Sequence, residues 1–260
     1  MCFDHDSRPP IVPLAGGAVD GRQVQLVADD GNPFMGFIAR AERPSGAAML
    51  VLPDVRGLHS YYEELTLRFA EAGIDALAID YFGRTSRSTD RGPEFPFREH
   101  LEQVTYPGLL DDLSGAAHLL RDEAAPRALF TVGFCFGGRL SFVCATRPEF
   151  NLAGVIGFYG VPVGSGRAGM PAPADVAARM RVPVLGLFGG DDPAIPSDAI
   201  DAFAAALSGA GAEHEFTTYP GAPHSFFDRK AEEFADASAD AWQRVRDFVA
   251  RLTPAADQPS

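Results

Sequence analysis

Ala128-Leu129-Phe130-Thr131-Val132-Gly133-Phe134-Cys135-Phe136-Gly137-Gly138 is the stretch from which the architecture follows. Ala128–Val132 is a short aliphatic, aromatic and β-branched run with the length and content of a buried strand. It passes through Gly-x-Cys-x-Gly into a segment that reads as helix. A side chain on such a strand-to-helix elbow sits in a strained turn, and the flanking glycines let neighbouring backbone pass without a Cβ clash. Cys135 is thereby presented at the carboxyl edge of a sheet, at a helix N-terminus whose dipole favours a thiolate. The Phe136 N–H points into the same space and can donate to an oxyanion. The competing reading of Cys135 is a buried small hydrophobe, the commonest state of a free cysteine. Its position directly after a strand favours the nucleophile.

On either side of the elbow, short apolar runs alternate with longer segments of helical period. Buried strands are expected at Ala48–Leu52, Ala76–Ile79, Val155–Phe158 and Val184–Phe188, with a more polar one at His214–Tyr219. Gln23–Val27 and Phe34–Ala39 flank Asp29-Asp30-Gly31-Asn32, a turn composition, and read as a β-hairpin. Helices are expected over His59–Ala72, with Tyr62, Leu65, Phe69 and Ala72 on one stripe, and over Leu109–Leu120. A third opens at Pro196-Ser197 and stops near Gly209, and a last one spans about Ala237 to Leu252. The pattern predicts an α/β fold, a mostly parallel central sheet of about eight strands with helices on both faces. In such folds ligands sit beyond the carboxyl ends of the strands. Residues 1–20 read as an irregular leader and 253–260 as a frayed tail, with no linker or repeat between them.

Length and composition agree with one soluble globule. The chain has 260 residues, 46% of them apolar and 22% charged, which excludes disordered and fibrous classes. With 22 Lys and Arg against 35 Asp and Glu, the formal charge of −13 repels phosphate backbones and anionic lipid heads, so neither nucleic acid nor a membrane surface is an expected partner. Cys2, Cys135 and Cys144 are odd in number and lack metal-ligand spacing, so reduced thiols are expected. The N-terminus lacks a basic region followed by an apolar one, and no apolar run is long enough to span a bilayer. A cytoplasmic protein is expected. Nothing here distinguishes a monomer from a homodimer.

A cysteine nucleophile needs a base, and the base an orienting acid. Val184–Phe188 is followed by Gly189-Gly190-Asp191-Asp192-Pro193-Ala194-Ile195-Pro196, a carboxylate on a strand-end turn. His214–Tyr219 is followed by Pro220-Gly221-Ala222-Pro223-His224-Ser225-Phe226-Phe227, which puts His224 at the same edge. Asp191 and Asp192 compete for the acid; Asp192 is preferred because Pro193 and the Ile195-Pro196 pair fix its turn. Taken singly, the acid is a helix cap and the histidine a surface-loop residue. The order nucleophile, acid, base on successive strand ends speaks against that pair of readings.

With these pieces in place, the chain resembles the dienelactone hydrolase family of the α/β-hydrolase fold. The matching motifs are Gly-Phe-Cys135-Phe-Gly-Gly, Gly-Gly-Asp-Asp192-Pro-Ala-Ile-Pro and Tyr-Pro-Gly-Ala-Pro-His224-Ser-Phe-Phe-Asp-Arg. Together with Leu52-Pro53-Asp54-Val55-Arg56-Gly57 and Asp80-Tyr81-Phe82-Gly83-Arg84 they cover about residues 20 to 250 in a collinear order. The resemblance implies hydrolysis of a small lactone or ester through an acyl-cysteine, with Cys135, His224 and Asp192 as the triad, one domain over 1–260, no metal and no organic cofactor. A thioesterase or general small-ester hydrolase would use the same residues, and a binding protein on the same fold would leave them idle.

The resemblance also implies roles in which this chain departs from the family. Asp54 stands where the well-known lactonases carry a Glu that helps switch the thiol to its reactive form; an Asp there can instead bond its own loop. The next amide, Val55 N–H, is the expected second oxyanion donor. Those lactonases hold a substrate carboxylate with two arginines. Arg84 matches the first and brings Phe82 with it, whereas Arg229 lies five residues beyond His224, one further than the pattern expects. Arg84 as a neutraliser of surface acids is the alternative. In the polar stretch from Thr85 to Thr105, where the fold hangs a lid, Phe95, Phe97 and His100 either line the substrate site or pack the loop down. Tyr159, ending a central strand, either faces the cleft or packs in the core. Cys144 reads as core.

Overall fold

The computed structural model describes residues 7–13, 20–122 and 128–254. Most of the expected leader and tail, and Cys2, lie outside these residues. Eight strands form one sheet: β1 (Asp20–Val27), β2 (Pro33–Arg40), β3 (Ala47–Leu52), β4 (Asp75–Ile79), β5 (Ala128–Phe134), β6 (Leu152–Phe158), β7 (Val184–Gly189) and β8 (His214–Tyr219). Their order is β1-β2-β4-β3-β5-β6-β7-β8. The β1–β2 hairpin attaches antiparallel to β4, and every pair from β4 to β8 is parallel. The strands are those the apolar runs predict, extended by one to three residues at some ends because pairing continues past the last strongly apolar side chain.

All residues of β3, β4 and β7 are buried, as a parallel sheet covered on both faces requires. Seven helices are described: α1 (Ser60–Glu71), α2 (Phe97–Leu101), α3 (Tyr106–Asp122), α4 (Phe136–Cys144), α5 (Pro173–Val176), α6 (Ser197–Gly209) and α7 (Ala235–Leu252). Within β6, a Cβ at Gly154 would strike Phe248 of α7 and one at Gly157 would strike Phe142 of α4. Positions three apart in a strand face opposite ways, so α7 and α4 cover opposite faces. His59 caps α1 by accepting from Tyr61 N–H at 3.4 Å, and Tyr62, Leu65 and Phe69 on its inner stripe are fully buried. In α3, the expected stripe of Leu109, Leu113, Ala116, Ala117 and Leu120 is buried throughout.

The order of strands determines where a ligand can go. From β3 the chain moves to β4 on one side and, later, to β5 on the other, so the loops leaving β3 and β5 diverge and leave a crevice at their carboxyl ends. Leu52 pairs with Gly133 across that junction, which puts Asp54-Val55 and Cys135-Phe136 each two or three residues past the same rung. Likewise Gly189 pairs with Tyr219, so the Asp192 turn and the His224 loop leave adjacent strand ends.

Candidate active site

Cys135 precedes α4 with its backbone at φ 54°, ψ −108°. A residue with a Cβ held there costs on the order of 1–3 kcal/mol. Two hydrogen bonds pin it: Cys135 N–H donates to Phe158 O at 3.0 Å, and Arg139 N–H donates to Cys135 O at 3.1 Å. The glycines follow from the close packing of the elbow. A Cβ at Gly133 would collide with the Gly137 carbonyl, and one at Gly137 with the carbonyls of Leu52 and Pro53. Cys135 is half-buried, in contrast to Cys144, whose thiol burial pushes up to about 12.

Asp192, not the exposed Asp191, meets the histidine: His224 Nδ1 and Asp192 Oδ2 are 2.6 Å apart. Since a carboxylate only accepts, the Nδ1 proton belongs to this bond, which makes Nε2 the basic nitrogen of the ring. Asp192 Oδ1 accepts from Ala194 N–H at 2.9 Å, so the carboxylate closes its own turn while it holds the ring. The Asp192 side chain is buried and that of His224 is 23% exposed.

Between Asp54 and Leu58 each amide except that of Val55 is engaged. Asp54 N–H donates to the Tyr62 hydroxyl at 3.0 Å, Arg56 N–H to Asp54 Oδ1 at 2.8 Å, Gly57 N–H to Asp54 O at 3.2 Å and Leu58 N–H to Asp80 Oδ1 at 3.3 Å. Among the described residues, neither Val55 N–H nor Phe136 N–H, the first amide of α4, donates to a protein acceptor. Both are therefore available to a ligand at the β3–β5 junction. The Asp54 carboxylate is fully buried and makes the turn bond to Arg56 N–H, the self-bonding that the short side chain allows.

Four residues expected at the substrate are each engaged within the protein itself. Arg84 is taken up by two carboxylates, Asp30 of the hairpin turn at 2.5 Å and Asp112 of α3 at 2.9 Å. Burial raises the Asp112 carboxyl to about 6 even though Arg84 pulls it down, so this cation is already neutralising an acid of its own. Phe82 is fully buried against Phe95 and below Arg91. His100 lies flat on Phe95 with ring centroids 4.9 Å apart, and its Nδ1 meets Thr85 Oγ1 at 3.1 Å; both contacts pack the loop. Tyr159 is fully buried, with its hydroxyl donating to Asp228 Oδ2 at 2.8 Å and its ring 4.9 Å from that of His224. Arg229 is exposed, and its amide is bonded to the Asp228 carboxylate.

A cleft of about 360 Å³ opens beside Val55, walled by Phe97, Arg98 and Leu101 of α2, by Glu102 just after it and by Arg167. Phe97 thus faces it, while Phe95 does not. Sequence reading did not single out Arg98 or Arg167, which carry no motif; only the position of α2 and of the 161–170 loop brings them here. That loop is held by Arg139, whose guanidinium donates to the carbonyls of Val161, Val163, Gly164 and Met170 at 2.7–3.3 Å. A second cleft of about 410 Å³ is bordered by Gln23, His59, Glu63, Asp80 and Arg91; Cys135, Asp192 and His224 are among the lining residues of neither cleft, and the first is tied to the candidate site through Val55. Among the described residues no three His, Cys, Asp or Glu side chains converge as metal ligands, and no helix is long and apolar enough to cross a membrane.

Comparison with known proteins agrees with the fold. The model of the dienelactone hydrolase family matches residues 34–253. A protein of Methylorubrum extorquens provisionally named a carboxymethylenebutenolidase is 32% identical over 90% of this chain and 81% of its own length. One from Yersinia pestis under the same provisional name is 30% identical over 85% of each chain. Among solved structures, a provisionally assigned dienelactone hydrolase from Klebsiella pneumoniae superposes with a TM-score of 0.76 at 28% identity, over 90% of this chain and 99% of that one. A puromycin hydrolase, at 20% identity and a TM-score of 0.72, shares the α/β-hydrolase fold over 93% of this chain and 40% of its own.

Proposed function

Because the chain belongs to the dienelactone hydrolase family of hydrolytic enzymes, we propose that it opens a small lactone or cleaves a small ester through an acyl-cysteine on Cys135. The observation that carries this reading is the strained Cys135 backbone at the strand-to-helix elbow, a conformation that presents the thiol rather than burying it. Cys135 Sγ attacks the carbonyl carbon, and His224 Nε2 takes the thiol proton, its imidazolium stabilised by Asp192 at Nδ1. The carbonyl oxygen, now an anion, is received by Val55 N–H and Phe136 N–H, each such donor contributing about 3 kcal/mol. Collapse breaks the acyl–oxygen bond, and His224 returns its proton to the leaving oxygen. Water, deprotonated by the same Nε2, then attacks the thioester and releases the acid and the thiol.

The cleft beside Val55 offers two cations, Arg98 and Arg167, against one carboxylate, Glu102. An anionic substituent on the acyl part is therefore read as held there rather than at Arg84.

Intact-protein mass spectrometry during turnover of a panel holding a dienelactone, an aryl ester and a thioester tests the reading. An adduct of acyl mass on native protein, absent from Cys135→Ala together with turnover, is expected. Near-native hydrolysis by Cys135→Ala would overturn it.

A further inference from the structure

The bond from Nδ1 to Asp192 holds the edge of the His224 ring. The face meets Tyr159, whose ring centroid is 4.9 Å away at an interplanar angle of 52°. Tyr159 is an unusual residue for simple packing. It takes φ 39°, in the region that side chains with a Cβ avoid, and its N–H donates to Leu187 O at 2.8 Å, tying the end of β6 to β7. Its hydroxyl reaches Asp228, a carboxyl only 4% exposed, four residues beyond His224 in the same turn. Ser225, between them, also has positive φ, 68°. Among the described residues five without glycine's freedom have positive φ, and three of these are Cys135, Tyr159 and Ser225, so the strain gathers at this site.

We infer that Tyr159, anchored through its hydroxyl to Asp228, is a positioning residue that holds the face of the His224 ring while Asp192 holds its edge. The inference rests on the reading of His224 as the base. A phenylalanine would fill the same space; what the hydroxyl adds is a link from the end of β6 back into the histidine's own loop. Burying a carboxyl to receive that link is costly, as the Asp228 group shows, pushed up to about 8 by burial. The groups facing Asp228 are Tyr159 at the end of β6, Tyr61 of α1, Asp54 after β3, and His224 and Arg229 of its own loop. None of them is a lysine, and Arg229 bonds it only through its amide, so the Tyr159 hydroxyl is its side-chain donor.

Imidazole NMR with labelled histidine, assigned by loss of a signal in His224→Gln, reads the ring directly and independently of turnover. Tyr159→Phe and Asp228→Ala should each shift or broaden the His224 resonance, move the acidic limb of the pH–rate profile and lower kcat about tenfold with KM within about twofold. Asp228→Asn, which keeps an acceptor for the hydroxyl, should recover most of what Asp228→Ala loses, and the double variant should be no slower than the slower single one. An unchanged His224 resonance in Tyr159→Phe, a variant that removes one oxygen atom, overturns the clamp whatever the rate does. A displaced resonance with unchanged kcat supports the clamp and counts instead against His224 as the base.

Discussion

At Cys135 and at the Asp191-Asp192 pair, single residues settle what the chemistry can be. Two adjacent aspartates are equivalent in a one-dimensional reading, and the preference for Asp192 rests on the prolines after it. In the fold only Asp192 points inward, because Asp191 N–H pairs with Ala222 O and leaves that side chain outside. Asp192→Ala is expected to lower kcat by roughly 10²–10⁴-fold with little change in KM, which steady-state kinetics on the best substrate of the panel would measure. Gly137→Ala puts a methyl group into the carbonyls of Leu52 and Pro53, backbone that has no rotamer to yield. A loss of about 1–3 kcal/mol in urea unfolding is expected, with activity falling as β3 and the elbow are pushed apart. Gly-x-Cys-x-Gly can be recognised without coordinates because its spacing is local, yet only the Gly133 contact, with the Gly137 carbonyl, lies within the turn; the need for glycine at Gly137 comes from Leu52 and Pro53 at the end of β3.

At the scale of elements, the polar stretch from Thr85 to Thr105 resisted reading, since its only helix has five residues and its aromatics have no period. What orders it is an ion pair between segments. Arg91 donates from Nε and Nη2 to both oxygens of Asp80 at 3.0 and 2.7 Å, with both side chains nearly inaccessible, and so pins the loop to the end of β4. Arg91→Met would leave Asp80 charged and buried, and a loss of about 3–5 kcal/mol in chemical denaturation is expected. The opposite wall of the cleft is the 161–170 loop under Arg139. Arg167→Ala should raise KM for an anionic ester about tenfold while leaving a neutral ester of the same size within about twofold, the comparison that separates charge recognition from loop damage.

For the molecule as a whole, charge and burial combine in the dependence of stability on pH. Burial raises the Asp228 carboxyl from 3.8 to about 8, so across that window the native state keeps a proton that the unfolded chain has released. Stability from this group therefore falls as pH rises from about 4 to about 8, and Asp112, raised to about 6, adds to the same slope over its lower half. Thermal melts across the window should show Asp228→Asn gaining on the native protein toward the alkaline end; parallel curves would contradict this. The strand runs, the amphipathic helices, the elbow cysteine and the placing of an acid and a histidine after successive strands were all open to reading from the chain, because each depends on residues a few positions apart. Which aspartate meets His224, that Arg84 is spent on Asp30 and Asp112, that Tyr159 turns inward to Asp228, and that Arg98 and Arg167 wall the cleft with Val55 depend on bringing together segments far apart in the chain. No local pattern encodes such distances, since a side chain's partner is chosen by the packing of the strands and loops around it rather than by its neighbours in sequence.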